Sequence, residues 1–355
     1  MSPRHLRPWL AALATGLLCL ALAACGASAS TQPTVISSPT AEATATPVPA
    51  PVEVPTQEPP ATARPESCSD PYPQGAPYMP EPGQPVHLSP TGTPGPLPYY
   101  NPIPLVADPA LEAVIRKSLG PDLGHYGIAV KRLDNGTGAA INAGDAYYAA
   151  SLYKIWAMIE AFHQQAQGLL SFDEQYVVSD YYASLSLNPD ELAACEIVTA
   201  EQALQAMMSV SDNVAGNMIL ERVGTTNTNN MLRQMGLMAS GLQAGGEVYT
   251  TANGTELVLE AIARGQAVSA AASEEMVSLL ASETIDGRIP ALLPPGTRVA
   301  HKTGSWSTAT NDAGIVFSPK ATYVIAVLSD FGYDVDAESE IATLSRAVYD
   351  YFNPE

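Results

Sequence analysis

Three short motifs lie far apart in this chain, and whatever it folds into must bring them to one place. They are Ser151-Leu-Tyr-Lys154, Ser211-Asp-Asn213 and Lys302-Thr-Gly304, and each occurs once. Taken singly they are weak: a Ser-x-x-Lys should arise about once by chance in a chain of this length. Their joint presence, order and wide spacing carry far more weight. They demand a fold in which a helix start, an inter-helix turn and a strand end meet.

The residue types explain the chemistry. A serine hydroxyl is a poor nucleophile at neutral pH and needs an adjacent base. Residues 149–166 (AASLYKIWAMIEAFHQQA) read as a helix burying Ile155, Met158, Ile159 and Phe162 at i, i+3, i+4, i+7 spacing. Ser151 falls at its N-terminal end, where the helix dipole favours developing negative charge. Lys154 comes one turn later on the same face. It can accept a proton only if burial or a nearby cation weakens its hold on its own, and Lys302 is the candidate cation. An isolated Ser-x-x-Lys would read more simply as a helix cap followed by a solvated lysine.

Ser211-Asp212-Asn213 lies between two helical stretches, TAEQALQAMMSV and VAGNMILERVG. Alone it could be a plain helix cap, since all three types favour that position. Lys302-Thr303-Gly304-Ser305 continues the run Thr297–His301, which suggests a strand. A strand edge bearing small residues can pair with an extended substrate backbone, and the Thr303 and Ser305 hydroxyls can bind its carboxylate. Gly304 permits close approach.

In that order the three motifs resemble those of the class A β-lactamase and penicillin-binding family of serine hydrolases. Residues 108–355 are similar to that family, with Tyr147–Lys154, His301–Ser305 and Asn311–Val316 resembling its sequence blocks. The resemblance implies a serine acylated by a β-lactam or an acyl-D-Ala-D-Ala peptide and then released to water. Ser151 would be the nucleophile and Lys154 a base or relay. Ser211 would pass a proton to the leaving nitrogen, and Asn213 would hold the substrate amide and Lys154. Lys302 would complete the catalytic set, with Thr303, Gly304 and Ser305 binding substrate. The oxyanion hole would use the backbone N–H groups of Ser151 and Ser305.

The chain departs from the family at one point. Class A β-lactamases carry a Glu-x-x-Leu-Asn segment in an Ω-loop between Ser-Asp-Asn and Lys-Thr-Gly, and its glutamate serves the deacylating water. Here the helix TNNMLRQMG is followed only by LMASGLQAGGEVYTTANGTEL. Glu247 is the single carboxylate near the corresponding place, and its surroundings read more readily as a solvated loop. Three functions therefore stay open. The first is a β-lactam-opening serine hydrolase. The second is a D-Ala-D-Ala peptidase or transpeptidase of the cell wall, and the third a non-hydrolytic lipoprotein that binds β-lactams or muropeptides.

The rest of the sequence fits an exported enzyme. Residues 1–24 read as a signal peptide, with Arg4 and Arg7 before an apolar run. It ends in Leu22-Ala-Ala-Cys25, which resembles a bacterial lipobox and predicts a lipid anchor on Cys25 at the outer face of a membrane. The apolar run is short for a spanning helix, which needs about 20 residues. Residues 25–66 are Pro/Thr/Ala-rich with almost no large apolar side chains, so they cannot bury a core. Of the 31 prolines, 21 fall between Pro33 and Pro104, which predicts a semi-extended stalk. Residues 67–107 keep the prolines but add tyrosines, and are expected to lie along the folded part.

With Cys19 lost in the signal and Cys25 lipidated, Cys68 and Cys195 remain. Two thiols outside the cytoplasm often pair. The net charge of −20 argues against nucleic acid, which requires a basic face. His125, His163 and His301 show no metal spacing, so neither metal nor other cofactor is expected. The expected partners are a small-molecule β-lactam or a peptidoglycan stem peptide, and the membrane through the lipid; the expected assembly is a monomer.

Hydrophobic patterning places a helix at 109–119, strands near 127–133 and 139–143, and a helical block over about 151–290. Strands near 298–304, 311–317 and 322–329 and a helix at 336–351 follow. This is an α+β pattern: one antiparallel sheet of about five strands built from both chain ends, flanked by helices, with an all-helical subdomain inserted. The active site would lie in the groove between the two parts.

Overall fold

The computed structural model describes Cys68 and residues 88–98, 100–333 and 335–355, all within the unit Thr62–Glu355. From the N-terminal end come β1 (Val106–Ala107), α1 (Pro109–Leu119), β2 (Tyr126–Arg132), β3 (Thr137–Ile141) and β4 (Tyr147–Tyr148). Asp108 caps α1 by accepting from the Ala110 and Leu111 amides, with Pro109 in the first turn. The C-terminal end supplies β9 (Arg298–Trp306), β10 (Ala309–Phe317), β11 (Thr322–Ser329) and α9 (Val335–Phe352).

All of these strands except β4 form one sheet in the order β1-β3-β2-β11-β10-β9. Strand β2 pairs antiparallel with β11, which joins the two chain ends. The sheet has six strands where the sequence suggested about five. The addition is β1, which runs parallel to β3 through the pairs Val106–Thr137 and Ala107–Gly138. Two residues are too short to show a period of two, so patterning could not reveal this strand.

Both sheet faces are covered, which explains the nearly continuous apolar run in β11. Tyr323, Ile325 and Val327 point to a core shared with Leu111, Ile115, Ile341, Leu344 and Val348 of α1 and α9. Val324, Ala326 and Leu328 point to the opposite, larger core. That second core is where the inserted segment packs.

The insert begins with a 3-10 turn, Ala150–Leu152, leading into α2 (Tyr153–Ala166). After it come β5 (Gln175–Val177), α3 (Asp180–Ala183), β6 (Ile197–Thr199), α4 (Ala200–Ser209), α5 (Asn213–Val223) and α6 (Thr225–Gln234). It ends with β7 (Gly241–Leu242), β8 (Val248–Thr250), α7 (Ala252–Ala263) and α8 (Ala270–Leu280). The segment is therefore not all-helical: β5 pairs with β6, and β4, β8 and β7 make a small second sheet. Helix α2 is its axis, with every residue from Lys154 to Gln164 buried. Trp156 is 2 % exposed and packs in this core; its truncation to Ala would cost about 3–5 kcal/mol.

Residues 88–98 and 100–105 run across the domain surface, tied down at the backbone. The Leu97 amide donates to Gln234 Oε1 at 2.8 Å and the Ile103 amide to Glu260 Oε1 at 2.7 Å. Further back, Cys68 and Cys195 are joined in a disulfide with their Cα atoms 5.3 Å apart. The lipidation candidate Cys25 lies outside the described residues. Among the described residues no helix is long and apolar enough to cross a membrane.

Candidate active site

The three motifs converge where the insert meets the end of the sheet. Ser151 is partly exposed in the 3-10 turn that precedes α2, rather than in the helix itself. The residue before it, Ala150, has φ +47°, a left-handed conformation that costs a non-glycine residue energy. Strand β9 is the outermost strand of the sheet and lies against this turn. A β-carbon on Gly304 would meet the Ala149 carbonyl oxygen at 2.8 Å, Leu152 Cγ at 3.3 Å and Ala150 Cβ at 3.4 Å. Asn311 on β10 fixes the turn from the other side, its Nδ2 donating to the Tyr148 carbonyl at 2.9 Å and the Ala149 carbonyl at 3.3 Å.

Lys154 is fully buried in the first turn of α2. Its Nζ donates to the Ser211 carbonyl at 2.6 Å, to Ser211 Oγ at 3.2 Å and to Asn213 Oδ1 at 3.0 Å. Ser211 reaches it from a left-handed backbone, φ +58°. Asp212, the middle residue of the motif, does cap α5, accepting from the Ala215 amide at 2.8 Å. Gly216 on α5 leaves the space the lysine needs, since a β-carbon there would come within 2.8 Å of Lys154 Cε.

Burial, aided by the Lys302 charge, lowers the Lys154 amine to about 7. The nearby carboxylates of Glu191, Asp212 and Glu283 act in the opposite direction. An amine poised near neutrality can both take and return a proton. Lys302 is itself fully buried and paired with the Glu283 carboxylate. Burial pushes its affinity for a proton down, while Glu283 opposes that shift. The same carboxylate accepts from the Thr303 amide at 3.2 Å. Thr303 is buried, and Ser305 stands further out along the strand.

Several residues here were invisible to sequence reasoning. Arg288, in the loop after α8, is 3 % exposed. Its Nη2 donates to Ser305 Oγ at 2.5 Å and its Nη1 to the Asn311 carbonyl at 2.6 Å, so it fixes the residue assigned to substrate binding. Glu191 lies in an Asn-Pro-Asp-Glu turn before α4, and its Oε1 accepts from Asn213 Nδ2 at 2.7 Å. No spacing rule connects a turn glutamate or a loop arginine to a site formed by other elements. Glu247, by contrast, is exposed in the loop leading into β8. A cavity of about 730 Å³ between Pro96–Pro98, Tyr100 and Pro102 on one side and helices α6 and α7 on the other contains none of the motif residues.

The likeness to known proteins follows the same part of the chain. The extended-spectrum β-lactamase PER-1 of Pseudomonas aeruginosa is 27 % identical over 221 residues, 54 % of this chain and 70 % of that protein. The structure of PBP-A superposes with a TM-score of 0.65 at 22 % identity, covering 71 % of this chain and 99 % of that one. A β-lactamase from Sphaerobacter thermophilus gives 0.62 at 24 % identity, covering 68 % and 97 %. At such identities the structures establish the fold. A model of the beta-lactamase enzyme family matches residues 109–352, from α1 to the end of α9 and through all three motifs. The chain belongs to the beta-lactamase enzyme family.

Proposed function

We propose that this hydrolase opens the β-lactam amide bond through an acyl-enzyme on Ser151. The observation that carries the reading is the burial of Lys154 among Ser211, Asn213 and Lys302, with its amine held at about 7. In its neutral form Lys154 takes the Ser151 hydroxyl proton as Oγ attacks the carbonyl carbon. The Ser151 amide and the Ser305 amide of β9 would hold the oxyanion, a contribution typically worth about 10²–10³-fold per donor. As the ring C–N bond breaks, the proton passes from Lys154 through Ser211 Oγ to the leaving nitrogen; the 3.2 Å contact between those groups supports that route. Thr303, Ser305 and the charge of Lys302 would receive the substrate carboxylate. Water then cleaves the ester and restores Ser151.

Relatives support the substrate class: PER-1 is named an extended-spectrum β-lactamase, and a PBP-A variant is described as an acyl-enzyme complex with penicillin G. Intact mass spectrometry over time after adding a penicillin tests the reading. A transient adduct of one acyl group is the expected result. A lasting adduct would favour the D-Ala-D-Ala peptidase alternative, and no adduct would reject the acyl-enzyme.

The finer setting belongs to the same proposal. The protein acts as a monomer on the outer face of a bacterial membrane, held by lipid on Cys25. The Leu22-Ala-Ala-Cys25 sequence supports this, as does a disulfide between Cys68 and Cys195, which suits an oxidising compartment. Metabolic labelling with a radioactive fatty acid should mark the protein, and Cys25→Ala should abolish the label.

A further inference from the structure

Glu191 is 8 % exposed, and its carboxylate accepts from three N–H donors. Oε1 accepts from Asn213 Nδ2 at 2.7 Å and from Asn188 Nδ2 at 3.1 Å, and Oε2 accepts from the Leu187 amide at 3.2 Å. The other end of the Asn213 amide, Oδ1, accepts from Lys154 Nζ at 3.0 Å. The two ends of an asparagine amide are nearly equal in shape, so its orientation is set by its partners. A carboxylate on one side and the donating lysine amine on the other leave a single orientation that satisfies both.

The segment carrying Glu191 is anchored independently of that bond. The next residue, Leu192, donates its amide to Asp212 Oδ2 at 2.8 Å, so two successive residues grip two successive residues of the Ser-Asp-Asn turn. Four residues after Glu191, Cys195 is bonded to Cys68, and its amide donates to the Val178 carbonyl at 2.8 Å. Glu191 therefore arrives at Asn213 on a braced loop.

We propose that Glu191 is a positioning residue of the acylation site, locking the Asn213 amide oxygen onto Lys154 and placing a fixed negative charge behind it. The inference rests on Lys154 being the base that activates Ser151. The charged groups around that amine are Lys302, Glu191, Asp212 and Glu283. Of the three carboxylates, Glu283 is paired with Lys302 and Asp212 caps α5, while Glu191 is the one bonded to the Lys154 partner. Removing its charge should make Lys154 release its proton at lower pH, because an ammonium is favoured by a nearby carboxylate. Removing its acceptor should let the Asn213 amide turn.

The test uses the full chain and benzylpenicillin, with the second-order acylation rate followed across neutral pH. In Glu191→Gln the acidic limb of the profile should move down by roughly half a unit to one unit. The plateau should fall by about 10- to 100-fold, because glutamine keeps only one of the two acceptor oxygens and turns an N–H toward one of the three donors, which costs the site its alignment. Glu191→Asp retains the charge, so its acidic limb should stay with the wild type while its plateau falls. A limb that does not move in Glu191→Gln, or that moves equally in both variants, overturns the proposal. ¹³C-lysine NMR of Lys154, assigned with Lys154→Arg, reads the same midpoint without substrate. If no adduct forms on any variant, the acyl-enzyme reading fails, and the NMR midpoint still decides the role of Glu191.

Discussion

A β-carbon on Gly304 would lie 2.8 Å from the carbonyl oxygen of Ala149, so strand β9 packs against the Ser151 turn more tightly than any side chain allows. Gly304→Ala should push the strand away from the turn and misalign Ser151 with the Ser305 amide. Acylation should slow by about 10²-fold, the usual cost of a displacement near 1 Å. The rate of adduct formation measures this, with circular dichroism confirming a folded variant. An unchanged rate would show that the close contact plays no part in alignment.

Ser151→Ala should form no covalent adduct with any penicillin while melting close to the wild type. Lys154→Ala keeps the hydroxyl but removes the amine bonded to Ser211 and Asn213. Its acylation should fall by about 10²–10⁴-fold, the range for a lost general base. Adduct formation by Ser151→Ala would assign the nucleophile elsewhere.

The position of the Lys154 amine at about 7, set by burial and by Lys302, fixes a pH dependence. In the proposed mechanism only the neutral amine accepts the Ser151 proton. Acylation should therefore rise with pH through about 7 and level off above it, changing by about 10-fold per unit on the acidic side. A stopped-flow profile that is flat through this range would exclude Lys154 as the base.

Deacylation should be the slow step. Between α6 and α7 the chain passes through β7 and β8, with Glu247 exposed beside them. A water without a positioned base loses about 10²–10⁴-fold in rate. A chromogenic cephalosporin should show a burst near one equivalent followed by slow turnover. Glu247→Gln should leave both phases unaltered; a slower second phase in that variant would assign Glu247 to deacylation.

The disulfide between Cys68 and Cys195 closes a long loop, with the two cysteines 127 residues apart in sequence. Exported protein, denatured without reductant, should show no thiol from either residue. Replacing both with Ala should cost about 2–4 kcal/mol in denaturant unfolding. Two reactive thiols per chain would contradict the pairing.

The sequence determined the parts whose signals are local. The capped helix Pro109–Leu119 and the strand Thr322–Ser329 are legible from a cap and an apolar run. The three motifs, read together, name the candidate serine, the amine and the strand that the fold brings together. The tertiary structure alone decided how those parts meet. It added the short parallel strand Val106–Ala107, and it buried Lys154 near the charge of Lys302, which lowered its amine to about 7. It also brought Glu191 and Arg288 from turns to Asn213 and Ser305. The physical reason is range. Caps and periodicity act within a few residues and are written in local order. Desolvation, charge pairing and amide orientation depend on groups that become neighbours only when the chain has folded.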